Sequence, residues 1–177
     1  MQYNNCPKCG TTYKRDQIDN KNIYRDFFVC KKCNFIFYNN PKPAVVGLIY
    51  NIENKLLLVK RKIKPYVGYW DLPGGFVNAN ENPSRSIVRE IKEELNLDAK
   101  IINIENTFTE NYKNKGRNDE QYNLVVIAYN LSILSFKNVV AMDDISDYKF
   151  FSIYNLPKKI AFPEKREFLN GLAKQRG

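Results

Sequence analysis

The sequence predicts a mixed α/β domain preceded by a small cysteine-rich β module. Apolar runs rich in β-branched residues, such as "AVVGLIYNI" and "QYNLVVIAYNLSIL", alternate with stretches of helical periodicity, and strands around helices indicate an α/β fold. All four cysteines lie within the first 33 residues, which sets that segment apart from the rest of the 177-residue chain. A hydrophobic content of 44% is enough for a buried core, so we expect a folded protein.

The charge and the residue composition exclude several classes of function. Lys and Arg number 28 against 19 Asp and Glu, and the formal charge of +9 suits a polyanionic partner, although a biased amino-acid usage explains it equally well. The chain has no histidine, which excludes Ser–His or Cys–His catalysis and any histidine-ligated metal site. No apolar run approaches the roughly 18 residues of a membrane span, and the N-terminus has no signal-peptide pattern, so we expect a cytoplasmic protein without a membrane partner.

Two C-x2-C pairs, separated by twenty residues, lie near the N-terminus. Two residues between cysteines form a tight knuckle that directs both sulfurs at one point, and the intervening segment allows a hairpin that returns the second knuckle to the same ion. A reducing cytosol disfavours the alternative of two disulfides. We therefore predict a zinc ribbon over residues 1–40, in which a structural Zn²⁺ is bound by Cys6, Cys9, Cys30 and Cys33.

Basic and aromatic residues are interleaved along this ribbon. That combination is typical of single-stranded nucleic-acid binding. A ribbon this small also needs its aromatic rings as a core beside the metal, and we favour this structural interpretation. Nucleic acid is therefore a possible partner but not the favoured one.

The second domain, residues 41–177, follows an extended linker at "YNNPKP", whose prolines disfavour regular structure. Two apolar runs separated by the dipeptide "EN" predict a β-hairpin. Gly and Pro punctuate "YVGYWDLPGG", which leads into a short strand at "GGFV". A helix capped near Asn82, with Pro83 near its first position, runs to about Asn96. Further strands are predicted at "QYNLVVIAYNLSIL" and "DYKFFSI", and a terminal helix at "FPEKREFLNGLAKQR".

Acidic residues gather on one side of the predicted helix. At about 100° per residue, Glu90, Glu93 and Glu94 point in similar directions. A separate apolar stripe faces the core and consists of Ile87, Val88, Ile91 and Leu95. A solvated face is the simplest alternative, because like charges at these spacings cost a helix only a few tenths of a kcal/mol. Oxygen ligands in close array suit Mg²⁺ or Mn²⁺, which also bind phosphate oxygens, so the cluster favours phosphoryl chemistry.

The segment from Gly75 to Leu97 resembles the Nudix box, G-x5-E-x7-R-E-U-x-E-E-x-G-U with U aliphatic. Glu81 and the run "REIKEELNL" match at the required spacing, and the departure is Asn96 in place of the last glycine. Asparagine tolerates the left-handed conformation that ends a helix, so we expect catalysis to survive this change. The stretches "GYWDLPGG" and "FFSIYNLPKKIAFPEKREF" and the four cysteines are similar to Nudix proteins with an N-terminal zinc ribbon. The resemblance implies a Nudix α/β/α sandwich with a mixed sheet.

The resemblance also implies an enzyme that hydrolyses the pyrophosphate linkage of a nucleoside diphosphate joined to another group, with Mg²⁺ or Mn²⁺. By similarity, Glu93 and Glu94 would bind the metal, and Glu90 would be a ligand or the general base. The Gly75 carbonyl would complete the ligand set, and Arg89 would orient the glutamates through a bidentate contact. A further acid often assists in this family, and the candidates are Glu110, Asp119, Glu120, Asp143 and Asp144.

The sequence leaves the substrate open. Side chains suited to stacking on a base are Tyr66, Trp70 and Phe162, although core packing is the favoured interpretation for each of them alone. The array S-Q-P-W-P-F-P-x-S of relatives acting on NAD(H) is absent where this chain has "ENTFTENYKNKGRNDEQY". We expect a nucleotide-type small molecule, ADP-ribose-like or dinucleotide-like. The alternatives are an RNA 5′-end pyrophosphohydrolase and a non-catalytic nucleotide-sensing or nucleic-acid-binding regulator, and the family makes a homodimer possible.

Overall fold

The computed structural model describes the chain in four stretches, residues 5–12, 27–38, 40–114 and 120–176. The chain divides into two compact units, Met1–Pro41 and Lys42–Gly177. In the first unit, β1 (Phe27–Val29) pairs antiparallel with β2 (Ile36–Tyr38), which gives a small two-stranded sheet.

The second unit contains two sheets. The first has four strands in the order β6-β3-β8-β7. In chain order these are β3 (Lys42–Ile49), β6 (Gly74–Phe76), β7 (Ala99–Asn114) and β8 (Glu120–Ile133). The sheet is mixed, because β3 runs parallel to β8 while the other neighbours are antiparallel. The second sheet is antiparallel, in the order β5-β4-β9, with β4 (Leu56–Arg61), β5 (Trp70–Asp71) and β9 (Ile145–Phe151).

Two helices cover opposite faces of β3. Its alternate residues Val45 and Ile49 pack in one apolar cluster, with the buried side chains of α1 (Pro83–Leu95). Val46 and Leu48 belong to a second cluster, which contains buried leucines of α2 (Pro163–Arg176). Because successive side chains of a strand point to opposite faces, the sheet has a helix on each side. The predicted α/β/α arrangement with a mixed sheet is confirmed.

The prediction of a β-hairpin around "EN" is wrong, because the two long strands on either side of this turn do not pair with each other. The chain does turn sharply there, since Asn51 N–H donates to the Lys55 carbonyl at 3.0 Å. Beyond the single bridge between Tyr50 and Leu56, however, β3 pairs within the four-stranded sheet and β4 within the three-stranded one. Both runs are apolar on both faces, which suits strands buried between two layers rather than a half-exposed hairpin.

The long strand β7 is absent from the sequence prediction. It pairs with β8 along most of its length and forms the edge of its sheet. Asn, Glu and Lys interrupt its apolar residues, and register shifts near Asn103 and Asn106 break the period-two pattern that identifies a strand. In addition, the predicted linker is shorter than expected, because Lys42 and Pro43 already belong to β3.

Within the described residues, no helix combines the length and the apolar character that crossing a bilayer requires.

Candidate active site

The helix that carries the box acids begins and ends as the sequence predicts. The Asn82 side chain caps the N-terminus by accepting a hydrogen bond from the Ser84 backbone N–H at 2.9 Å, and Pro83 takes the first helical position. At the other end Asn96 adopts φ 54°, and its N–H donates to the Lys92 carbonyl. Asparagine therefore fills the left-handed position that glycine occupies in the family pattern.

The apolar stripe of α1 fixes which way the acids point. Ile87, Ile91 and Leu95 are completely buried, so the helix cannot rotate about its axis without exposing them. On the adjacent face Glu94 is also buried, and its Oε2 accepts a hydrogen bond from the Gly74 N–H at 2.9 Å. The box acids thus lie against the turn that leads into β6.

Gly75 is in direct contact with the Glu90 carboxylate. A Cβ atom placed on Gly75 would lie 2.7 Å from both Cδ and Oε1 of Glu90. The neighbouring Gly74 has φ 141°, and a Cβ there would lie 2.2 Å from the Val45 carbonyl oxygen. The absence of a side chain at Gly75 therefore leaves room for a box acid, and its absence at Gly74 leaves room for the backbone of β3.

Arg89 joins the remaining acids into one network. Its Nε and Nη2 contact the two carboxylate oxygens of Glu81 at 2.8 and 2.9 Å, a bidentate pair. Its Nη1 lies 2.7 Å from both Glu90 Oε1 and Glu93 Oε2. The guanidinium therefore orients three carboxylates at once. Among the described residues, the four cysteines are the one group of three or more potential ligands whose ligand atoms all lie within 4.8 Å of one another, and the box acids do not form such a group in this conformation.

The environments of the acids give them different proton affinities. Burial raises the pKa of Glu94 to about 8, although the Gly74 N–H opposes this change. Burial also raises the pKa of Glu90. The hydrogen bonds from Arg89 lower the pKa of the half-buried Glu81 to about 2.

The chemistry of these residues is suited to binding a hard divalent cation. Glu94 is a buried carboxylate whose hydrogen-bond donor is one backbone N–H, so the protein alone compensates little of its charge. Carboxylate oxygens are the ligands that Mg²⁺ and Mn²⁺ prefer. In this conformation Glu93 Oε2 is paired with Arg89, so a metal would bind Glu93 through its other carboxylate oxygen or in place of that contact.

A cleft of about 200 Å³ opens beside Glu94, between the two sheets and α2. Gly74 and Gly75 line it at one point, and Glu110 and Tyr112 of β7 line it at another. Cationic groups also reach it from β4 and α2 through Arg61 and Lys165. The cleft therefore combines a box acid with positive charge and aromatic surface.

The two cations of the cleft are held by a buried aspartate. Asp71 Oδ1 accepts hydrogen bonds from Lys165 Nζ and from the Leu72 N–H, both at 2.8 Å, and its Oδ2 accepts one from Arg61 Nη1 at 3.0 Å. Burial lowers the pKa of the buried Lys165, but Asp71 and Glu110 together outweigh this effect, so that its pKa is raised. Sequence reasoning missed Arg61, Asp71 and Lys165 as site residues. One signal was present, since Lys165 occupies the same helical stripe as Leu169 and Leu172.

The aromatic candidates lie in different places. Phe162 lines the cleft and is buried, and its ring stacks on Tyr112 at 5.6 Å between centroids and 25° between planes. Its backbone has φ 59°, a left-handed conformation that bulky residues rarely adopt. Strained backbone conformations of this kind cluster at functional sites. Tyr66 touches the edge of Phe162 but does not line the cleft, and Trp70 packs against Phe151 instead. A substrate contact by Tyr66 or Trp70 stays a prediction.

The candidates for the assisting acid are also separated. Glu110 and Asp144 line the cleft, whereas Asp143 does not. Asp119 and the side chain of Glu120 lie outside the described residues. Burial raises the pKa of both Glu110 and Asp144.

The four cysteines come together in the first unit. Cys6 Sγ lies 3.7 Å from Cys33 Sγ, and Cys9 Sγ lies 3.7 Å from Cys30 Sγ, so none of them forms a disulfide. Four thiolates at about 2.3 Å from a tetrahedral Zn²⁺ lie about 3.8 Å apart, which is close to this spacing. The donor set and its dimensions therefore fit zinc.

The cysteine knuckles share one backbone arrangement. In the first, the Gly10 N–H donates to the Cys6 carbonyl at 2.9 Å, and in the second, the Asn34 N–H donates to the Cys30 carbonyl at 2.8 Å. Gly10 and Asn34 have φ of 70° and 56°. Each pair is thus followed by a left-handed residue, which turns the chain tightly enough to aim both sulfurs inward.

Known proteins resemble this chain in sequence and in fold. A sequence profile of the NUDIX domain matches residues 40–172. An ADP-ribose pyrophosphatase of Methanocaldococcus jannaschii is 36% identical over 129 residues, which cover 73% of this chain and 72% of that protein. The NAD-capped RNA hydrolase NudC of Pseudomonas aeruginosa is 24% identical over 152 residues, 86% of this chain but only 49% of that protein.

A solved structure supports the same fold. The NUDIX hydrolase from Nitrosomonas europaea has a TM-score of 0.69 to this chain at 23% identity, and the match covers 97% of this chain and 93% of the other. The fold, the box geometry and a profile match over most of the chain agree with one another. The chain therefore belongs to the Nudix family.

Proposed function

We propose that this protein is a metal-dependent hydrolase that cleaves the pyrophosphate linkage of a nucleoside diphosphate joined to another group, of the ADP-ribose or dinucleotide type. The observation that carries the proposal is the position of the box acids against the Gly74–Gly75 turn, beside a cleft that contains two cations and stacked aromatic rings. The M. jannaschii relative bears the name ADP-ribose pyrophosphatase, which makes ADP-ribose the first substrate to test.

Glu93, Glu94 and the Gly75 carbonyl would hold Mg²⁺ or Mn²⁺, and Glu90 would be a further ligand or the general base. When bound, the ion neutralises phosphate charge and lowers the pKa of a bound water. Two observations support this assignment. Glu94 is a buried acid with little compensating charge, and Glu90 lies against Gly75.

Other residues of the chain would position these groups and the substrate. Arg89 orients Glu90 and Glu93 through its 2.7 Å contacts and is itself fixed by the bidentate pair with Glu81. Arg61 lines the cleft and would face a phosphate or a ribose of the substrate. Phe162 would offer ring surface to the base, together with the Tyr112 ring stacked on it.

We assign residues 1–40 to a zinc ribbon and residues 41–177 to the Nudix domain. Zn²⁺ bound by the four cysteines would stabilise the ribbon, because a segment of this size has too small a core of its own. The spacing of 3.7 Å between sulfurs supports this role. Homodimerisation, which the family makes possible, stays a prediction.

A substrate panel tests the proposed reaction. Purified protein is incubated with Mg²⁺ or Mn²⁺ and with ADP-ribose, NADH, dinucleoside polyphosphates, nucleoside triphosphates or 5′-triphosphate RNA, and the products are separated by chromatography. We expect ADP-ribose or a dinucleotide to be split into two phosphomonoesters. Metal-loaded protein that binds ADP-ribose but hydrolyses no member of the panel would support the nucleotide-sensing alternative and contradict the enzyme.

RNA is the second candidate substrate. The formal charge of +9 and the match to the NAD-capped RNA hydrolase NudC favour it. Phosphate contacts make binding strongly salt-dependent, so an RNA enzyme would lose about a thousandfold or more in affinity between 50 and 200 mM salt. A shallow salt dependence together with efficient hydrolysis of ADP-ribose would favour the small molecule.

A further inference from the structure

One buried oxygen in the cleft has no hydrogen-bond donor. Glu110 lies on β7, is only 3% exposed and lines the cleft. Its Oε2 has no hydrogen-bond partner among the described residues. A buried carboxylate oxygen without a donor destabilises the fold, so its presence in a cleft points to a donor that arrives with a ligand.

Lys165 is the nearest cation, and it does not fill this role. Its Nζ lies 3.5 Å from Glu110 Oε2 but 2.8 Å from Asp71 Oδ1, to which it donates a hydrogen bond. Asp71 in turn is fixed by Arg61 and the Leu72 N–H. Lys165 therefore pairs more closely with Asp71 than with Glu110. Burial raises the pKa of Glu110 and the Lys165 charge opposes that shift, while Oε2 has no donor within hydrogen-bond geometry among the described residues.

Aromatic surface lies next to this oxygen. Tyr112 is two residues further along β7, on the same face of the strand, and lines the same cleft. Its ring is stacked on Phe162, and the Phe76 ring meets it edge-on at 5.8 Å. A hydrogen-bond acceptor beside ring faces is suited to a nucleoside, which combines a flat base with hydroxyl and amino donors.

The charges around Glu110 argue against two other ligands. A phosphate group at Glu110 Oε2 would be repelled by the Glu110 carboxylate, while Lys165, the nearest cation, is paired with Asp71. A divalent cation at Glu110 would lie close to the Lys165 ammonium, which is also unfavourable. A neutral donor has neither disadvantage.

We propose that Glu110 is a specificity-determining residue that accepts a hydrogen bond from the nucleoside half of the substrate, either from a ribose hydroxyl or from an exocyclic amino group of the base. This inference rests on the proposed function, because it takes the cleft as the nucleotide site. It assigns Glu110 to substrate positioning rather than to the proton transfer of an assisting acid.

Equilibrium binding tests the inference without turnover. Calcium replaces Mg²⁺ or Mn²⁺, and titration calorimetry compares ADP-ribose with two analogues, one with hypoxanthine in place of adenine and one with a 2′,3′-dideoxyribose in the adenosine half. A hydrogen bond to a charged group contributes about tenfold or more to affinity. We expect wild-type protein to bind at least one analogue about tenfold more weakly than ADP-ribose, and the analogue that binds more weakly identifies the donor.

Two variants complete the test. Glu110→Gln removes the charge but keeps the shape, and we expect it to reduce the preference for ADP-ribose over that analogue to less than about threefold. With hydrolysis restored by Mg²⁺ or Mn²⁺, KM for ADP-ribose should rise about tenfold while kcat changes by less than about threefold. Glu105→Gln is the matched control, because Glu105 lies on the same strand but does not line the cleft and pairs with Arg176. It should keep the wild-type preference.

Several results would overturn the inference. Equal affinity of wild-type protein for ADP-ribose and both analogues excludes the hydrogen bond even if no Glu110 variant folds. A fall in kcat at unchanged KM in Glu110→Gln would instead make Glu110 the assisting acid. Binding without hydrolysis in wild-type protein contradicts the proposed function alone, whereas hydrolysis with an unchanged preference in Glu110→Gln contradicts only this inference. Failure to bind ADP-ribose at all overturns this inference, and it contradicts the proposed function as well if no dinucleotide of the panel is hydrolysed.

Discussion

Gly75→Ala is a small change that should displace one box acid and little else. The new Cβ would lie 2.7 Å from Cδ and Oε1 of Glu90, about 0.7 Å closer than the 3.4 Å at which ordinary van der Waals separations begin. All of these atoms belong to the far end of a flexible side chain, so Glu90 can move away. Its displacement would disturb the 2.7 Å ion pair with Arg89.

The effect on catalysis should be much larger than the effect on stability. Misplacing a reacting group by about 1 Å can cost about a hundredfold in rate. For a shift of about 0.7 Å we expect kcat/KM for ADP-ribose to fall by about 10- to 100-fold, or about 1.4 to 2.7 kcal/mol of barrier. The free energy of unfolding should change by less than about 1 kcal/mol, because the ion pair between Arg89 and Glu90 is partly exposed and its disruption has a small effect on stability.

Urea unfolding and steady-state kinetics on three glycine variants separate the two effects. Gly171→Ala is the matched control, since nothing lies within 4 Å of its Cβ position and the residue is in the interior of α2. This variant should keep full activity and gain about 0.5 to 1 kcal/mol in stability. Gly74→Ala should lose the native fold, because its Cβ would meet the Val45 carbonyl oxygen at 2.2 Å.

A wild-type kcat/KM in Gly75→Ala would contradict this prediction, since Glu90 would then not need its position. A joint fall in the activity and the stability of Gly75→Ala, as expected for Gly74→Ala, would contradict it equally.

Three further predictions concern the other groups of the site. Glu93→Gln should abolish turnover and leave the unfolding midpoint nearly unchanged, because the side chain is about half exposed; wild-type rates in this variant would remove Glu93 from the metal ligands. The pKa of Glu81 is lowered from 4.5 to about 2 in the folded protein by its hydrogen bonds to Arg89, so the stabilisation is present above pH 4.5 and is lost as the pH falls toward 2. Glu81→Gln should therefore reduce the acid-side loss of stability in urea titrations at pH 2 to 5, and profiles parallel to wild type would contradict the pairing. Purified protein should contain one Zn²⁺ per chain by metal analysis, and its removal by a chelator should loosen the first unit while Mg²⁺-dependent hydrolysis persists; zinc-free native protein would contradict the ribbon.

Local signals in the sequence were sufficient for α1. Asn82, Pro83 and Asn96 mark its ends by capping chemistry that involves neighbouring residues only. Ile87, Ile91 and Leu95 recur at helical spacing and are completely buried. Because both features act within one element, the helix and the side that bears its acids could be predicted directly from the chain.

The division of strands between two sheets could not be predicted in this way. β3 and β4 are adjacent, and each contains a continuous buried apolar run, a pattern that fits a hairpin as well as two strands in different layers. Their partners β8 and β9 are more than 70 residues away in sequence, and no local pattern specifies these pairings.

The charged groups of the cleft were also beyond sequence reasoning. Asp71, Arg61 and Lys165 come from three elements that meet only in the folded chain. A charged lysine is stable in the protein interior only beside an opposite charge. The role of Lys165 therefore becomes visible only once the fold places Asp71 next to it. The same holds for Glu110, which sequence reasoning gave as one of five equivalent acids and which the fold places in the cleft with an unsatisfied oxygen.

The most direct test of the central claim is a crystal structure of the protein with Mn²⁺ and a non-hydrolysable ADP-ribose analogue, with the manganese located by its anomalous scattering. The claim predicts manganese bound to Glu93 and Glu94 next to Gly75, and the pyrophosphate of the analogue on the metal. Manganese absent from this face of α1, or an analogue bound away from the cleft, would contradict it.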